Sequence, residues 1–294
     1  MKKVCVIGEG AWGTAVATLL ANNGHQVSLW CYHSDVAKEI GNKHTNSKFL
    51  PGVELNKNII PEVDLGKSIN GAEWIFEAIP VKFLRSVLQK AKDFYLPEQK
   101  WVILSKGIEN DSLLFPVQML DDVFQTNVEG VVLAGPSFAI DLAEKNVTGV
   151  ALACSDRNKA EQLSQILNND YFTTDVTDDV IGVEVGAALK NVLALGIGII
   201  SGAGYSGNSK VLFFTKGFAE VVDLAVAMGG KAETMYGLAG IGDAVLTCMG
   251  EHSRNVKTGI LLGKGQTLEN ILATTGMTSE GANTVQSVQK LSEK

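Results

Sequence analysis

Three glycines near the start of the chain form the spacing Gly8-x-Gly10-x-x-Gly13. A short apolar run over residues 4–7 precedes them, and an apolar helical pattern follows over residues 15–20. In such a strand–turn–helix unit the first glycine permits a tight turn, the second lets a pyrophosphate approach the backbone, and the third lets the helix pack closely. The N–H groups at the helix start would then face the phosphates. The spacing predicts a dinucleotide site, and an ordinary glycine-rich turn is the alternative.

Lys190 lies in the middle of an apolar, glycine-rich stretch over residues 183–204. A buried ammonium is costly unless it is paired, and loss of water lowers its pKa toward the range where it exchanges protons near neutrality. These properties predict an acid–base lysine, with a snorkelling lysine at a helix edge as the alternative. The stretch is long enough to span a bilayer, but Glu184, Lys190 and Asn191 within it favour a buried helix of a soluble domain.

Two further polar groups follow predicted strands, at the edge where open α/β sheets bind their ligands. Lys106 comes directly after a strand predicted over residues 101–104 and could point its ammonium into the crevice. A solvated surface lysine without a functional role is the alternative explanation. Ser137 belongs to a loop over residues 135–139, and its hydroxyl could hold a ligand oxygen. A plain turn explains this loop equally well.

Asp243 and the run Ser253-Arg254-Asn255 form a fourth cluster late in the chain. Asp243 follows two turn glycines, where its carboxylate could cap a helix or pair with an ammonium. Ser253 can N-cap a helix that begins near Asn255, which places Arg254 beside free N–H groups. A guanidinium at a helix N-terminus suits a phosphate, while simple capping with an exposed arginine is the alternative.

The end of the second predicted strand, over residues 26–30, bears on the choice of dinucleotide. NAD-preferring folds carry an acidic residue there, about 20 residues past the glycines, to bind the ribose diol. Here the strand runs into Tyr32, His33 and Ser34, and Asp35 comes slightly late. His33 and Ser34 could donate to a 2′-phosphate, which favours NADP over NAD, although a solvated loop histidine is an equally good explanation.

Short apolar runs recur through the first part of the chain, with helical patterns between them. They cover residues 4–7, 26–30, 74–78, 101–104, 131–134 and 149–153, and residues 170–177 would add an edge strand. Continuous apolar runs are typical of strands buried on both faces of a parallel sheet, and their alternation with helices predicts a doubly wound α/β sheet of Rossmann type.

After Asp178 only helical patterns follow. They cover residues 181–203, 209–229, 256–263, 267–274 and 280–291. We therefore expect a dinucleotide-binding domain over residues 1–178 and an all-α domain over residues 179–294. Either Asp178 or Asp179 could cap the first helix of the second domain.

Composition limits the class of protein and its partners. The chain has 294 residues, of which 46% are hydrophobic, and a net charge of −7, so we expect a sizeable core and no nucleic-acid partner. Four scattered cysteines without metal-type spacing predict reduced thiols and a cytoplasmic location. They are Cys5, Cys31, Cys154 and Cys248. No targeting peptide is expected before the glycine motif, and no metal site is expected, because no metal-type spacing occurs.

Together these motifs resemble the NAD(P)-dependent glycerol-3-phosphate dehydrogenases of the bacterial soluble type. The resemblance runs from Met1 to about Asn283 and rests on residues 8–15, 105–109, 135–139, 188–202, 204–210, 237–248 and 253–255. It implies a Rossmann domain followed by a helical substrate-binding domain over residues 179–294, with NAD or NADP as the cofactor. It also implies reversible reduction of dihydroxyacetone phosphate to sn-glycerol 3-phosphate for phospholipid synthesis, by a homodimer.

The resemblance further implies a role for individual residues. Lys190 would be the general acid and base at the substrate C2 oxygen, Lys106 would stabilise negative charge on that oxygen, and Asp243 would hold both lysines and contact the substrate. Further substrate contacts are implied at Gly135, Ser137, Ser253, Arg254 and Asn255. Cofactor contacts are implied at Gly8, Gly10, Ala11, Trp12, Gly13, Tyr32, His33, Lys106, Ala139, Arg254 and Glu280.

The chain departs from the family pattern in a few places. Ala11 stands where serine is common, and the pair Tyr32-His33 stands where arginine or histidine is frequent. Family members usually continue some tens of residues further, which we interpret as a C-terminal truncation. Two other functions stay open. Lys106 and the Arg254 phosphate site argue against a β-hydroxyacid dehydrogenase, and the retained chemical residues argue against a non-catalytic dinucleotide-binding protein.

Overall fold

The computed structural model describes residues 1–250, 253–275 and 280–292. The chain forms two compact units. The first contains Met1–Ser105, Pro116–Leu133 and Ser137–Asp178, and the second contains Lys106–Phe115, Ala134–Pro136 and Asp179–Lys294. We expected the segments around Lys106 and Gly135 in the dinucleotide-binding domain. Both belong instead to the helical unit, because most of their neighbours lie there.

The first unit is built on an eight-stranded sheet. Its strands are β1 Lys3–Ile7, β2 Gln26–Trp30, β3 Ile59–Glu62, β4 Trp74–Glu77, β5 Lys100–Ile103, β6 Val131–Ala134, β7 Thr148–Ala153 and β8 Phe172–Thr177. Their order is β3-β2-β1-β4-β5-β6-β7-β8. Pairing is parallel from β3 through β2, β1, β4 and β5 to β6, and again between β7 and β8. The predicted Rossmann-type sheet is confirmed.

Strand β3 was not predicted from the sequence. It pairs with β2 at one edge of the sheet, and Pro61 stands opposite Leu29. A proline lacks the N–H that a central strand needs, so Pro61 argued against a strand at this position. The edge of the sheet tolerates the proline. The strand predicted over residues 170–177 is confirmed as β8, which starts slightly later, at Phe172.

Helices cover both faces of this sheet in the doubly wound manner. They are α1 Ala11–Asn22, α2 Ser34–Lys43, α3 Leu65–Ile69, α4 Val81–Ala91, α5 Pro116–Phe124, α6 Ala139–Ala143 and α7 Arg157–Leu167. Residues 4–7 of β1 and all residues of β4 are almost completely buried, among them Val6 and Phe76. Burial on both faces explains why these strands are apolar without alternation.

The second unit is helical, as expected. Its helices are α8 Val180–Gly202, α9 Gly207–Ala227, α10 Ala232–Met235, a π-helical segment Leu238–Gly242, α11 Asp243–Met249, α12 Arg254–Gly263, α13 Leu268–Thr275 and α14 Glu280–Ser292. The Asp179 carboxylate caps α8 by accepting a hydrogen bond from Gly182 N at 2.9 Å. Helices α10 and α11 were not predicted, because their glycine-rich surroundings indicated turns.

Helix α8 is the helix among the described residues that is long and apolar enough to cross a membrane. Most of it is buried within the protein, including Glu184, Lys190 and Asn191. This is the arrangement of a core helix, as the polar residues in the stretch predicted.

Helices α8 and α12 pack with their backbones in contact. A Cβ atom added to Gly198 would lie 2.3 Å from the carbonyl oxygen of Val256, and one added to Gly259 would lie 2.2 Å from that of Leu195. No side chain larger than hydrogen fits at either position without separating the helices. This close packing holds the N-terminus of α12 against the middle of α8.

Candidate active site

The glycine loop in the first unit has the geometry that its spacing predicted. Gly8 has φ +115°, and a Cβ on Gly13 would lie 2.0 Å from the Gly8 carbonyl oxygen, so both positions require glycine. A Cβ on Gly10 would meet no atom within 4 Å, which means that open space lies over this residue. No side chain caps α1, whose first N–H groups begin at Ala11. The loop therefore leaves room and donors for a pyrophosphate.

Trp12 gives a second indication of a bound group. Its indole Nε1 is buried and has no hydrogen-bond acceptor among the described residues. Buried donors are normally satisfied, so an unpaired one next to an open glycine loop fits a site completed by a ligand. These features fit a dinucleotide, with Gly8, Gly10, Ala11, Trp12 and Gly13 around its phosphates.

Two side chains that the sequence analysis did not single out hold this loop in place. The Thr14 hydroxyl donates to the Glu9 carbonyl oxygen at 2.9 Å. The Asn46 side-chain amide donates to the same oxygen at 2.8 Å and to the Thr14 hydroxyl oxygen at 2.9 Å. Asn46 is fully buried and comes from outside the motif, which is why the local spacing gave no signal for it.

Tyr32 and His33 directly follow β2, in the first unit. Tyr32 is exposed, and His33 is partly exposed. The backbone N–H groups of both residues donate to the Glu9 carboxylate, and the His33 ring contacts the same carboxylate. The end of β2 is therefore bound to the glycine loop through an acidic side chain.

The second unit brings three predicted catalytic residues together. The Lys190 ammonium lies 2.5 Å from Asp243 Oδ1, and the Lys106 ammonium lies 3.1 Å from Asp243 Oδ2. The Asp243 side chain is 1% exposed, and that of Lys190 is 9% exposed. Thr247, one turn further along α11, donates its hydroxyl to Asp243 Oδ1 at 3.4 Å. One buried carboxylate thus pairs with two ammonium groups.

Burial and charge shift the pKa values of this cluster. Burial lowers the pKa of Lys190 to about 8, and the positive charge of Lys106 adds to this effect, while Asp243 opposes it. Burial by itself would raise the pKa of Asp243, but Lys106 and Lys190 outweigh that effect and hold it below its usual value. Asp243 therefore stays ionised near neutral pH, while Lys190 can exchange its proton.

A small residue on α8 explains how Asp243 reaches Lys190. Gly186 lies one turn before Lys190 on the same helix face. A Cβ on Gly186 would lie 2.6 Å from the carbonyl oxygen of Ala239, so the π-helical segment packs directly on the α8 backbone there. Asp243 follows this segment and begins α11. We expected turn glycines before Asp243, and the structure instead has a π-helical turn, a feature that is frequent at functional sites.

The N-terminus of α12 lies beside the same part of α8. Ser253 caps the helix as predicted, since its hydroxyl oxygen accepts a hydrogen bond from Val256 N at 3.3 Å, and Arg254 is exposed. The Asn255 side chain donates to Asn191 Oδ1 at 2.9 Å. Asn191 in turn donates to the Glu280 carboxylate at 3.4 Å. Asn191 thus joins the predicted residues Asn255 and Glu280 next to Lys190.

Comparison with known proteins identifies the family. A family model described as the NAD-dependent glycerol-3-phosphate dehydrogenase N-terminus matches residues 3–160, and the corresponding C-terminus model matches residues 179–294. The chain belongs to the NAD-dependent glycerol-3-phosphate dehydrogenase family. Family membership agrees with the resemblance inferred from the motifs.

Individual glycerol-3-phosphate dehydrogenases are similar over the whole chain. An NAD(P)+ enzyme of this name from Bacillus velezensis is 42% identical over 297 residues, covering 100% of this chain and 86% of that protein. Its counterpart from Bacillus subtilis is 39% identical over 296 residues, with 100% and 86% covered. The crystal structure of a glycerol-3-phosphate dehydrogenase from Coxiella burnetii superposes with a TM-score of 0.95 at 30% identity, covering 99% of this chain and 89% of that one. These matches do not favour a β-hydroxyacid dehydrogenase or a non-catalytic protein.

The remaining residues that the glycerol-3-phosphate dehydrogenase resemblance implied lie in both units. Gly135 belongs to the segment Ala134–Pro136 of the second unit, where Pro136 lies beside Gly242. Ser137 and Ala139 belong to the first unit, and Ala139 begins α6, which packs against α1. The substrate contacts implied at Gly135 and Ser137 stay predictions, as does the cofactor contact at Ala139.

Proposed function

We propose that Lys190, Lys106 and Asp243 form the catalytic centre of this glycerol-3-phosphate dehydrogenase. The chain reduces dihydroxyacetone phosphate to sn-glycerol 3-phosphate with NADH or NADPH, in a reversible reaction that supplies phospholipid synthesis. The observation that carries the proposal is the buried Asp243 carboxylate, which lies 2.5 Å from one ammonium and 3.1 Å from the other. Such a pair of cations suits a carbonyl oxygen that gains negative charge.

The hydride for C2 of the substrate would come from a reduced nicotinamide, once the cofactor is bound. Lys190 donates a proton to the C2 oxygen as the negative charge develops there. Its pKa of about 8 makes this transfer accessible near neutral pH, and the neutral amine accepts the proton again in the reverse reaction. The Lys106 ammonium, held by the other oxygen of Asp243, would stabilise the negative charge on the substrate oxygen, while Asp243 orients both ammonium groups.

The N-terminus of α12 is the proposed phosphate site. Arg254 is exposed at the first position of this helix, and the N–H groups of the first turn add partial positive charge. Ser253 and Asn255 flank Arg254, and their side chains shape the site. Guanidinium groups bind phosphate oxygens in a bidentate manner, which suits a substrate phosphate.

The glycine loop of the first unit is the proposed site for the cofactor phosphates. Gly10 leaves room for the pyrophosphate, and Gly8 and Gly13 allow the tight turn and the close packing of the loop. The Trp12 indole N–H has no acceptor within the described part of the chain. Further cofactor contacts are proposed at Ala11, Tyr32, His33, Lys106, Ala139, Arg254 and Glu280.

We further propose that the enzyme is a cytoplasmic homodimer. Helix α9 exposes apolar side chains, including Val211 and Leu212, which are 59% and 62% exposed. Contiguous exposed apolar side chains on a helix are typical of protein interfaces. Light scattering of the purified protein tests this, and a monomer at all concentrations contradicts the dimer.

The catalytic assignment is tested with Lys190→Ala. We expect turnover of dihydroxyacetone phosphate, followed at the nicotinamide absorbance, to fall by about 100-fold or more, while cofactor binding persists. Lys216→Ala removes an exposed lysine of α9 and serves as the matched control. Undiminished turnover in Lys190→Ala, or an equal loss in the control, contradicts the assignment.

A further inference from the structure

Glu9 stands between the first two glycines of the motif and reaches the end of β2. Its side chain is only 6% exposed. Oε1 accepts a hydrogen bond from His33 N at 3.0 Å and lies 2.5 Å from the His33 ring nitrogen Nδ1. Oε2 accepts a hydrogen bond from Tyr32 N at 3.1 Å. The Glu9 carboxylate therefore lies between the two backbone N–H groups and the His33 ring.

These groups form an anion site by their chemistry. Two successive backbone N–H groups with an imidazole beside them are suited to a carboxylate or a phosphate. At this end of β2, an NAD-dependent fold carries an acidic group for the ribose, whereas an NADP-dependent fold needs donors for the 2′-phosphate. Here the donors are already bound to an internal carboxylate.

Glu9 cannot easily leave this position, because both its backbone and its side chain are held. Its carbonyl oxygen accepts hydrogen bonds from Thr14 and from the fully buried Asn46. The Asn46 side chain also accepts a hydrogen bond from Phe49 N at 3.2 Å, and the Phe49 ring lies 5.7 Å from the ring of His33. One packed cluster therefore fixes the loop, the acid and the histidine.

We infer that Glu9 sets the dinucleotide selectivity of this enzyme, so that it uses NAD rather than NADP. The negative charge of Glu9 would repel a 2′-phosphate at this position. The Glu9 oxygens also bind the N–H groups of Tyr32 and His33, which such a phosphate would need as hydrogen-bond donors. The acid absent from the tip of β2 is thus supplied by the glycine motif itself. This reverses the preference for NADP that the sequence around His33 suggested.

The inference rests on the use of NAD or NADP by this family and not on the roles proposed for Lys190, Lys106 and Asp243. Its test is accordingly a binding measurement that needs no turnover. Affinities of the full chain for NADH and NADPH, and for 5′-AMP and adenosine 2′,5′-bisphosphate, are measured by titration calorimetry. The two nucleotide fragments differ only in the 2′-phosphate.

Four proteins are compared: the wild type, Glu9→Gln, Glu9→Ala and Asp35→Asn. Glu9→Gln removes the charge with little change of shape. Asp35→Asn removes an exposed charge two residues after His33, without touching the donors that Glu9 occupies. Glu9→Ala gives a second variant that vacates the site, and binding of 5′-AMP checks that each loop is folded.

We expect the wild type to bind NADH and 5′-AMP at least about tenfold more tightly than their 2′-phosphorylated counterparts. Both Glu9 variants should shift these ratios toward the 2′-phosphorylated ligands by about tenfold, and Asp35→Asn should not. The inference is overturned if the wild type binds NADPH as tightly as NADH. It is also overturned if the Glu9 variants leave the ratio unchanged, or if Asp35→Asn shifts it equally.

Discussion

Asn255 at the start of α12 donates a hydrogen bond to Asn191 of α8 at 2.9 Å. The same Asn255 side chain accepts a hydrogen bond from Gly281 N of α14 at 3.0 Å. Three helices therefore meet at one buried amide, between the proposed phosphate site at Arg254 and the proposed acid–base residue Lys190. The substrate contact implied at Asn255 stays a prediction, and we propose that this residue also positions the site.

Replacing Asn255 with alanine should affect both stability and activity. The buried Gly281 N–H would lose its acceptor and Asn191 its donor, so we expect a loss of about 1–3 kcal/mol in the free energy of unfolding. We also expect KM for dihydroxyacetone phosphate to rise, because the start of α12 is no longer held against α8. Denaturant titration and steady-state kinetics measure these effects.

Asn270→Ala is the matched control, because Asn270 is an exposed asparagine on α13. Its stability and KM should equal those of the wild type. A fully stable Asn255→Ala variant with an unchanged KM would contradict the positioning role.

The reaction should depend on pH in opposite ways in its two directions. In the proposed mechanism reduction requires the protonated Lys190, whose pKa is about 8, so its kcat should fall as the pH rises through that value. Oxidation of sn-glycerol 3-phosphate requires the neutral amine, so its kcat should rise over the same interval. Initial rates in both directions between about pH 6 and about pH 10 test this.

Asp243→Asn separates this titration from other ionisations. The Asp243 carboxylate raises the pKa of Lys190 against the effect of burial, so its removal should lower that pKa. The midpoint of the reductive profile should accordingly move to lower pH. A midpoint that stays in place would show that Lys190 does not produce the profile.

Arg254→Ala should weaken substrate binding more than it slows the chemical step. Losing a charge-assisted contact to the phosphate should raise KM for dihydroxyacetone phosphate by about 10- to 100-fold. Lys257→Ala removes an exposed cation one turn further along α12 and is the control. An equal change of KM in both variants would contradict a specific site. It would mean that the positive charge of α12 attracts the phosphate without a defined contact.

Alanine at Gly198 should destabilise the second unit. The added methyl group would lie 2.3 Å from the Val256 carbonyl oxygen, which must move away, and we expect a loss of about 1–3 kcal/mol. Gly207→Ala is the control, because a Cβ there meets no atom within 4 Å. Thermal unfolding of both variants measures the difference, and equal melting temperatures would mean that the contact of α8 with α12 is not tight in solution.

Local patterns were sufficient for much of the fold. The spacing of Gly8, Gly10 and Gly13 between an apolar strand and an apolar helix predicted the loop correctly, since the positive φ of Gly8 and the close approach of Gly13 to the Gly8 carbonyl oxygen are local constraints. The Ser253 cap of α12 was also predicted correctly from the local sequence. Strand β3 could not be predicted in this way, because its Pro61 is tolerated only at the edge position that the whole sheet provides.

The family, the Rossmann-type sheet and the helical unit were determined by the sequence alone, because periodicity, glycine spacing and caps act over short distances. Only the tertiary structure decided which charges meet. Asp243 lies 53 positions after Lys190 and 137 after Lys106, and its contacts with both depend on the packing of the π-helical segment against Gly186. Glu9 and His33 are likewise joined only when β1 and β2 pair side by side. Long-range pairing of this kind depends on the packed fold, so no local pattern in the sequence could show it.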